Sequence, residues 1–215
     1  MRAGAPRVIN RGMRYGPEMW DERFRPGEAA YGTEPSHFLR EQAHLLRAGQ
    51  RALVPADGGG RNGVWLARQG LEVWSVDFSA EGLARARELA AERGVTLHTE
   101  QADLLAWEWP RAQVDVVVPI YFHLPALERP RVHAAMLEAL RPGGHVILEA
   151  FHVDQMGYSS GGPRDPDLLL TEERLRADFA GAEILVLRKD LVQLDESRLH
   201  RGPGVLMRML ARKAP

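Results

Sequence analysis

The segment from Arg51 to Asp77 constrains the fold of this chain more than any other. An apolar run at 52–54 leads into Ala56 and the glycines at 58–60, and a helix-like segment and a second apolar run follow before Asp77. Glycines let a ligand approach backbone that a Cβ would shield, and the first N–H groups of a helix have no partner within it. The segment therefore predicts the first βαβ unit of a sheet that binds an adenosine-containing cofactor, with Asp77 on the ribose hydroxyls.

Strand-like and helix-like segments alternate through most of the chain. The apolar run VDVVVP at 114–119 is typical of a buried central strand, and the turn Arg141–Gly144 separates a helix from the next strand. This alternation predicts a parallel sheet with right-handed connections. The last third differs, because the strand-like runs 183–193 and 205–211 have no helix between them and predict an antiparallel hairpin. The predicted fold class is α/β and Rossmann-like, with helices on both faces of the sheet.

Composition and charge limit the class of protein. The 215 residues carry a net charge of −1 and no cysteine, which excludes disulfides and thiolate chemistry and gives no general attraction to nucleic acid or anionic membranes. No apolar run approaches the roughly 20 residues that span a bilayer. The Arg-rich start lacks the apolar stretch of a secretory signal. We expect a cytoplasmic protein, a monomer or a homodimer, with a small-molecule partner and no nucleic-acid, membrane or metal partner.

A G-x-G-x-x-G fingerprint at 58–63, with Asp77 as its acid, is also typical of nicotinamide enzymes. Three features favour a different cofactor. Residues 55–57 separate the first strand from its first glycine, Asp103 is placed to meet an adenine amino group, and the Arg-Pro-Gly-Gly turn and terminal hairpin belong to another fold. An NAD(P)-dependent oxidoreductase stays open as an alternative.

Six motifs between Trp20 and Lys213 carry a resemblance to a known family. They are WDERF, YGTEPSHFL, GGGRNGVWLARQGLEVWSVDFS, QADLL, LRPGGHVILEAF and LARK. With them the sequence resembles the class I S-adenosylmethionine-dependent methyltransferases, most of all the tellurite-resistance (TehB-like) branch, and is similar to thiopurine methyltransferases at its start. The resemblance implies a seven-stranded sheet that binds S-adenosyl-L-methionine at its C-terminal strand ends, with S-adenosyl-L-homocysteine as product. It divides the chain into an N-terminal arm at 1–30 and a methyltransferase domain at 31–215.

The resemblance also implies which residues surround the cofactor. They are Ala56, Asp57, Gly58, Gly60, Asn62, Asp77, Phe78, Ala102, Asp103, Leu104 and Pro119. The sequence departs from the family pattern at Val54, where an acid is usual, and at Ala56, where the first glycine is usual. We expect Asp57 to supply the missing carboxylate for the ammonium group of the cofactor. The departure leaves a non-catalytic cofactor-binding module as a further alternative.

Transfer of a methyl group from a sulfonium needs alignment and a dry pocket rather than a covalent nucleophile. The segment Pro119–His123 lacks the Asn/Asp-Pro-Pro-Tyr/Phe pattern of amino-group methylases, and the core fold carries almost no insertion with which to grasp a macromolecule. We therefore expect a small acceptor. A soft acceptor atom is favoured, in a thiol, a selenol or a tellurium oxyanion, with oxygen and nitrogen acceptors close behind.

Three residues are candidates for catalysis. Leu199-His200-Arg201 matches a Leu-His-Arg near the active site of the tellurite-resistance branch, and His200 and Arg201 are predicted to orient, deprotonate or neutralise the acceptor. His123 is the third candidate, because the loop after the fourth strand faces the ligand crevice in such sheets.

Aromatic and histidine side chains complete the predicted substrate and lid region. These are Trp20, Phe24, Tyr31, Tyr121, His152 and Tyr158. The first three are predicted to form a lid over cofactor and acceptor, with an aromatic anchor of the N-terminal segment as the alternative. The others follow the fourth and fifth strands, whose C-terminal ends face the crevice.

Overall fold

The computed structural model of the chain describes residues 16–25, 31–197 and 199–214. The strands are β1 Arg51–Pro55, β2 Glu72–Asp77, β3 His98–Gln101, β4 Val114–Val117, β5 Leu140–Phe151, β6 Ala182–Ser197 and β7 His200–Lys213. The helices are α1 Pro17–Phe24, α2 His37–Glu41, α3 Arg61–Arg68, α4 Ala80–Glu92, α5 Arg129–Ala139 and α6 Glu172–Asp178. Residues 43–45, 153–157 and 166–168 form short 3₁₀ helices.

The strands form one seven-stranded sheet in the order β3-β2-β1-β4-β5-β7-β6. Strands β1 to β5 are parallel, whereas β7 pairs antiparallel with both β5 and β6. The predicted α/β sheet with a C-terminal antiparallel hairpin is therefore confirmed.

Alternate residues of the parallel strands bury apolar side chains on the two faces of the sheet. Leu53 and Val117 pack with residues of α5 on one face, while Val54 and Val116 pack with α3 and α4 on the other. Because both faces are covered, the loops at the C-terminal strand ends are left as the crevice in which a ligand can bind.

The turn between β1 and α3 requires glycine. Gly60 precedes α3 with φ +81°, a left-handed conformation that side chains other than glycine rarely adopt. An added Cβ at Gly60 would lie 2.6 Å from the Cβ of Ala86 on α4. The missing side chain thus lets α3 and α4 pack closely beside the turn.

Two predicted boundaries differ from the structure. The expected turn Arg141–Gly144 lies inside β5, where the pairing register with β4 shifts between Val114 and Val116 and Gly143 has φ +77°. The segment is therefore an irregularity within a strand rather than the turn before it. At the other end, the hairpin strands run longer than predicted, so that β6 ends at Ser197 and His200 begins β7.

Helix α1 is docked on the first turn of α4. Asp21 Oδ1 accepts hydrogen bonds from Ser79 Oγ at 2.6 Å and from the Glu81 backbone N–H at 3.2 Å. The Phe24 ring lies against Gly58 and Gly82, which leave room for it. Of the predicted arm at 1–30, residues 1–15 and 26–30 lie outside the described residues.

Candidate active site

A cavity of about 800 Å³ lies at the C-terminal ends of the parallel strands. Residues that follow β1, β2, β4 and β5 line it, together with the described part of the N-terminal segment. Binding sites for small molecules commonly measure about 300–1,000 Å³. The cavity thus has the position and size expected for a ligand site in a sheet of this kind.

Asp77 lies at the end of β2 and lines one side of the cavity. Its carboxylate accepts hydrogen bonds from the backbone N–H groups of Gly58 and Ser79, both at 2.8 Å. Burial raises the pKa of this carboxyl, although the same two N–H groups favour its ionised form. Each carboxylate oxygen has a second lone pair, so Asp77 can accept further hydrogen bonds from hydroxyl groups in the cavity.

Asp57 has a different environment, although it also borders the cavity. It is 6% exposed, and its carboxylate accepts hydrogen bonds from Ser75 Oγ at 2.6 Å and from the Gly63 backbone N–H at 3.2 Å. Burial raises the pKa of Asp57 to about 6 against the effect of these two hydrogen bonds. The geometry gives this carboxylate a role in holding α3 to β2. The ammonium contact expected for it stays a prediction.

The predicted cofactor residues divide into two groups. The cavity is lined by Ala56, Asp57, Gly58, Asn62, Asp77, Phe78, Asp103 and Leu104. Gly60, Ala102 and Pro119 belong to the surrounding loops and do not line it. The Ala102 backbone N–H donates to the Asp77 carbonyl at 2.9 Å, and the Pro119 carbonyl accepts from the Glu149 N–H at 3.3 Å.

The far end of the cavity is formed by a cluster of rings around Phe151, which we call the ring cluster: Tyr121, His123, Phe151 and His200. The centroid of the Phe151 ring lies 5.1, 5.8 and 5.4 Å from those of Tyr121, His123 and His200. Three buried polar atoms of the cluster have no hydrogen-bond partner among the described residues, namely Tyr121 Oη, His123 Nε2 and His200 Nδ1. The Glu196 carboxylate lies 3.5 Å from His200 Nδ1. Buried polar groups are ordinarily paired, so Tyr121 Oη and His123 Nε2 make this end of the cavity suited to a polar ligand.

The structure does not bring His200 and Arg201 together in the cavity, and the role expected for Arg201 stays a prediction. Successive residues of a strand point to opposite faces, and β7 directs His200 into the cavity and Arg201 outward. The Arg201 side chain is 78% exposed, and its nearest carboxylate is Asp195 at 3.9 Å.

His152 and Tyr158 do not line the cavity either. His152 is buried, and its Nδ1 accepts a hydrogen bond from the Asp154 backbone N–H at 3.0 Å. Its backbone forms a bridge with Leu170. The contact expected between these two residues and the substrate stays a prediction.

Two charged residues at the site were missed by the sequence reasoning. Arg61, on the first turn of α3, lines the cavity and donates a hydrogen bond to Glu196 Oε2 at 3.0 Å. Glu196 Oε2 also lies 3.5 Å from His200 Nδ1. Burial opposes the ionisation of Glu196, but His200 and Arg61 outweigh it and lower its pKa to about 2. Arg61 could have been predicted as a site residue, because it is a basic residue within the glycine turn. No local sequence pattern indicates Glu196.

Trp20, Phe24 and Tyr31 all line the cavity, as expected for residues of a lid. Tyr31 lies at the centre of this group, with ring centroids 6.2 Å from Trp20, 5.8 Å from Phe24 and 5.2 Å from His200. Arg23 donates a hydrogen bond to the Tyr31 hydroxyl at 2.7 Å. The described part of the N-terminal segment thus reaches from the glycine turn to the ring cluster.

The described residues contain neither a candidate metal site nor a membrane-spanning helix. No group of three or more His, Asp or Glu side chains in ranges 16–25, 31–197 and 199–214 has the arrangement needed to hold a metal ion. Within the same ranges, no helix has both the length and the apolar character required to cross a membrane.

Residues 53–144 match the protein family described as "Methyltransferase domain". The matched segment runs from β1 into β5 and includes the glycine turn and Asp77. The match implies S-adenosyl-L-methionine as cofactor and S-adenosyl-L-homocysteine as product.

Two curated relatives of the chain are named as methyltransferases. The chain is 32% identical over 152 residues to a glycine/sarcosine N-methyltransferase of Halorhodospira halochloris, a match that covers 66% of this chain and 52% of the relative. It is 36% identical over 109 residues to a protein-L-isoaspartate O-methyltransferase of Anaeromyxobacter dehalogenans, covering 50% and 49%. The chain therefore spans about half the length of the relatives it matches.

Solved structures share the fold of this chain. A structure described as "Conversion of a Disulfide Bond into a Thioacetal Group during Echinomycin Biosynthesis" superposes with a TM-score of 0.73 and 20% identity, covering 92% of this chain and 91% of that one. TehB from Haemophilus influenzae superposes with a TM-score of 0.65 and 21% identity, covering 81% and 61%. At these identities the likeness shows the fold alone.

The residues at the glycine turn fit the cofactor that the family match implies. Gly58 has φ +54°, and an added Cβ there would lie 2.5 Å from the Phe24 ring, so the turn offers bare backbone between α1 and the cavity. Asp77 provides a carboxylate with free lone pairs on the same side. A cofactor with two ribose hydroxyls and an amino-acid end matches this combination of acceptor and backbone groups.

Proposed function

We propose that this chain transfers a methyl group from S-adenosyl-L-methionine to a small molecule whose reacting atom is a thiol or another chalcogen. The observation that carries the proposal is that one cavity joins the glycine turn and Asp77 to the ring cluster. The glycine turn and Asp77 would hold the cofactor, which supplies an electrophilic methyl group. The ring cluster would hold the acceptor.

The chemistry of the ring cluster supports a soft acceptor. Sulfur and its heavier relatives are polarisable and make favourable contacts with aromatic rings. Tyr121, Phe151 and His200 form such a surface, and Tyr31 extends it toward the N-terminal segment. The unpartnered atoms Tyr121 Oη and His123 Nε2 would bind the polar part of the acceptor.

The similar proteins suggest which acceptors to test first. One structural neighbour concerns the conversion of a disulfide bond into a thioacetal group, and another is TehB of the branch that the sequence resembles. These point to sulfur and tellurium chemistry. A second candidate is the amino group of a small amino acid, favoured by the relative named glycine/sarcosine N-methyltransferase and by Arg164, which lines the cavity and carries a charge suited to a carboxylate.

We further propose that the N-terminal segment at 1–30 acts as a lid on the domain at 31–215. The support is the contact of Asp21 with Ser79 and of Phe24 with Gly58, which together cover the glycine turn. A covered turn excludes water from the site of methyl transfer. Entry of cofactor then requires α1 to move.

Calorimetric titration with S-adenosyl-L-homocysteine and with NADH tests the proposed cofactor. We expect heat from the first ligand and none from the second, and heat from NADH alone would refute the proposal. Product formation is then followed by mass spectrometry with 2-mercaptoethanol, selenite, tellurite, catechol and glycine. Binding of S-adenosyl-L-homocysteine without methylation of any member of the panel would favour a non-catalytic binding module.

A further inference from the structure

The two edges of the His200 ring have different surroundings. Nδ1 is sealed from solvent, and Glu196 Oε2 lies 3.5 Å from it. The opposite edge faces Gly161, where an added Cβ would lie 3.2 Å from Nε2 and 2.6 Å from Cδ2. Because Gly161 and His200 both line the cavity, the bare backbone of Gly161 keeps the Nε2 edge accessible.

Glu196 is fixed beside His200 by a second contact. The Arg61 guanidinium donates to Glu196 Oε2 at 3.0 Å, and its other terminal nitrogen donates to the Glu34 carbonyl at 3.2 Å. Both side chains of this ion pair are largely buried. With its pKa lowered to about 2, Glu196 is an anion at neutral pH.

The other two polar members of the ring cluster are poor proton acceptors. His123 Nδ1 donates to the Leu168 carbonyl at 3.0 Å, and burial lowers the His123 pKa to about 4. Burial and the charges of Glu149 and Glu196 raise the pKa of Tyr121 well above its usual value, so its hydroxyl keeps its proton. Of the two imidazole rings in the cluster, only that of His200 lies beside a carboxylate of the described residues, namely Glu196.

We propose that Glu196 is the positioning residue of the site, holding His200 with its proton on Nδ1 and its Nε2 lone pair toward the acceptor. This inference rests on the proposed function, because only a protonated acceptor needs a base. In the step, the bond between the acceptor atom and its hydrogen breaks, a bond from that proton to Nε2 forms, and the electron pair stays on the acceptor atom. The resulting imidazolium is stabilised by the Glu196 carboxylate, and Arg61 keeps that carboxylate in place.

The test is ¹⁵N NMR of the histidine rings in the full chain at neutral pH, without cofactor or acceptor. Signals of His200 are assigned by their loss in His200→Gln. We expect a protonated Nδ1 and a bare Nε2 in the native protein, and loss of the bare Nε2 signal in favour of the Nε2–H form in Glu196→Ala. Glu196→Gln, which keeps the shape but not the charge, is expected to give a smaller loss, and it serves alone if the alanine variant does not fold.

The matched control is Asp195→Asn, at the neighbouring residue of β6, whose side chain is 86% exposed and lies 3.9 Å from Arg201. This variant is expected to leave the His200 signals unchanged. A native protein with Nε2–H on His200, or Glu196 variants with native His200 signals, would overturn the inference. The NMR experiment measures no methyl transfer. Its outcome therefore does not depend on whether the acceptor assays support the proposed function.

Discussion

Replacing Asp57 with asparagine should change the pH dependence of stability in a way that the structure fixes. The folded-state pKa is raised from 3.8 to about 6, chiefly by burial, so the folded state binds this proton more tightly than the unfolded chain does. Stability from this group is therefore fully present below the unfolded value, and it is lost as the pH rises through about 6. At about 1.36 kcal/mol per pH unit, the full loss is ~3 kcal/mol.

The measurement is urea unfolding of the native protein and of Asp57→Asn at several pH values. Taking the difference between the two free energies of unfolding at each pH removes the other titrating groups. Between pH ~4.5 and ~7.5, the native protein should lose about 2 kcal/mol relative to the variant, because part of the effect has already occurred below that range. The asparagine keeps an oxygen for Ser75 Oγ or for the Gly63 N–H, so the variant is expected to fold.

A difference that changes by less than about 0.5 kcal/mol across this range would refute the reasoning, since it would mean that the carboxyl is not perturbed. Asp195→Asn provides the control, because it makes the same carboxyl-to-amide change at a side chain that is 86% exposed. Ser75→Ala should enlarge the effect, because the Ser75 hydroxyl hydrogen-bonds to the ionised form.

Three further predictions follow from the site and the turn. His200→Ala should lower the turnover of whichever acceptor proves active by about 10²–10⁴-fold, with little change in S-adenosyl-L-homocysteine affinity by calorimetry. Arg201→Ala should leave turnover near native. Equal losses of turnover in the two variants would contradict the placement of the two side chains. Phe24→Ala should weaken S-adenosyl-L-homocysteine binding about tenfold, and unchanged affinity and dissociation rate in stopped flow would argue against a lid. Gly60→Ala should lower the free energy of unfolding in urea by about 2–4 kcal/mol, because its φ is +81° and its Cβ would meet α4 at 2.6 Å. The control is Gly94→Ala, where φ is +67° and the space is open, and this variant should lose about 1 kcal/mol. Similar losses in the two variants would exclude packing as the cause.

The order of the elements could be predicted because its signals are local. Glycine turns, caps and apolar runs mark each strand and helix, and parallel strands place their C-terminal ends on one edge. That is why Gly58 and Asp77, 19 residues apart, were expected together and are joined by a hydrogen bond. The cap at Ser79 was predictable for the same reason, and its hydroxyl accepts from the Gly82 N–H.

The orientation of single side chains was not predictable where it depends on pairing across the fold. The hairpin strands extend into the segment that was expected to connect them, so that β6 ends at Ser197 and β7 begins at His200. Successive residues of a strand point to opposite faces, so the opposite directions of His200 and Arg201 were not predictable from a segment expected to be a loop. Asp57 is directed inward by Ser75, a residue of the neighbouring strand. Glu196 reaches Arg61 across 135 positions, beyond any periodicity.

The ion pair between Arg61 and Glu196 has a consequence for how the protein acquires activity during folding. Closing a loop of 135 residues is a non-local event, and non-local contacts form slowly. The glycine turn follows β1 and Asp77 ends β2, whereas Glu196 and His200 belong to the last two strands of the chain. On the proposed function, a refolding chain is expected to complete its cofactor-binding residues before the pair that would deprotonate the acceptor.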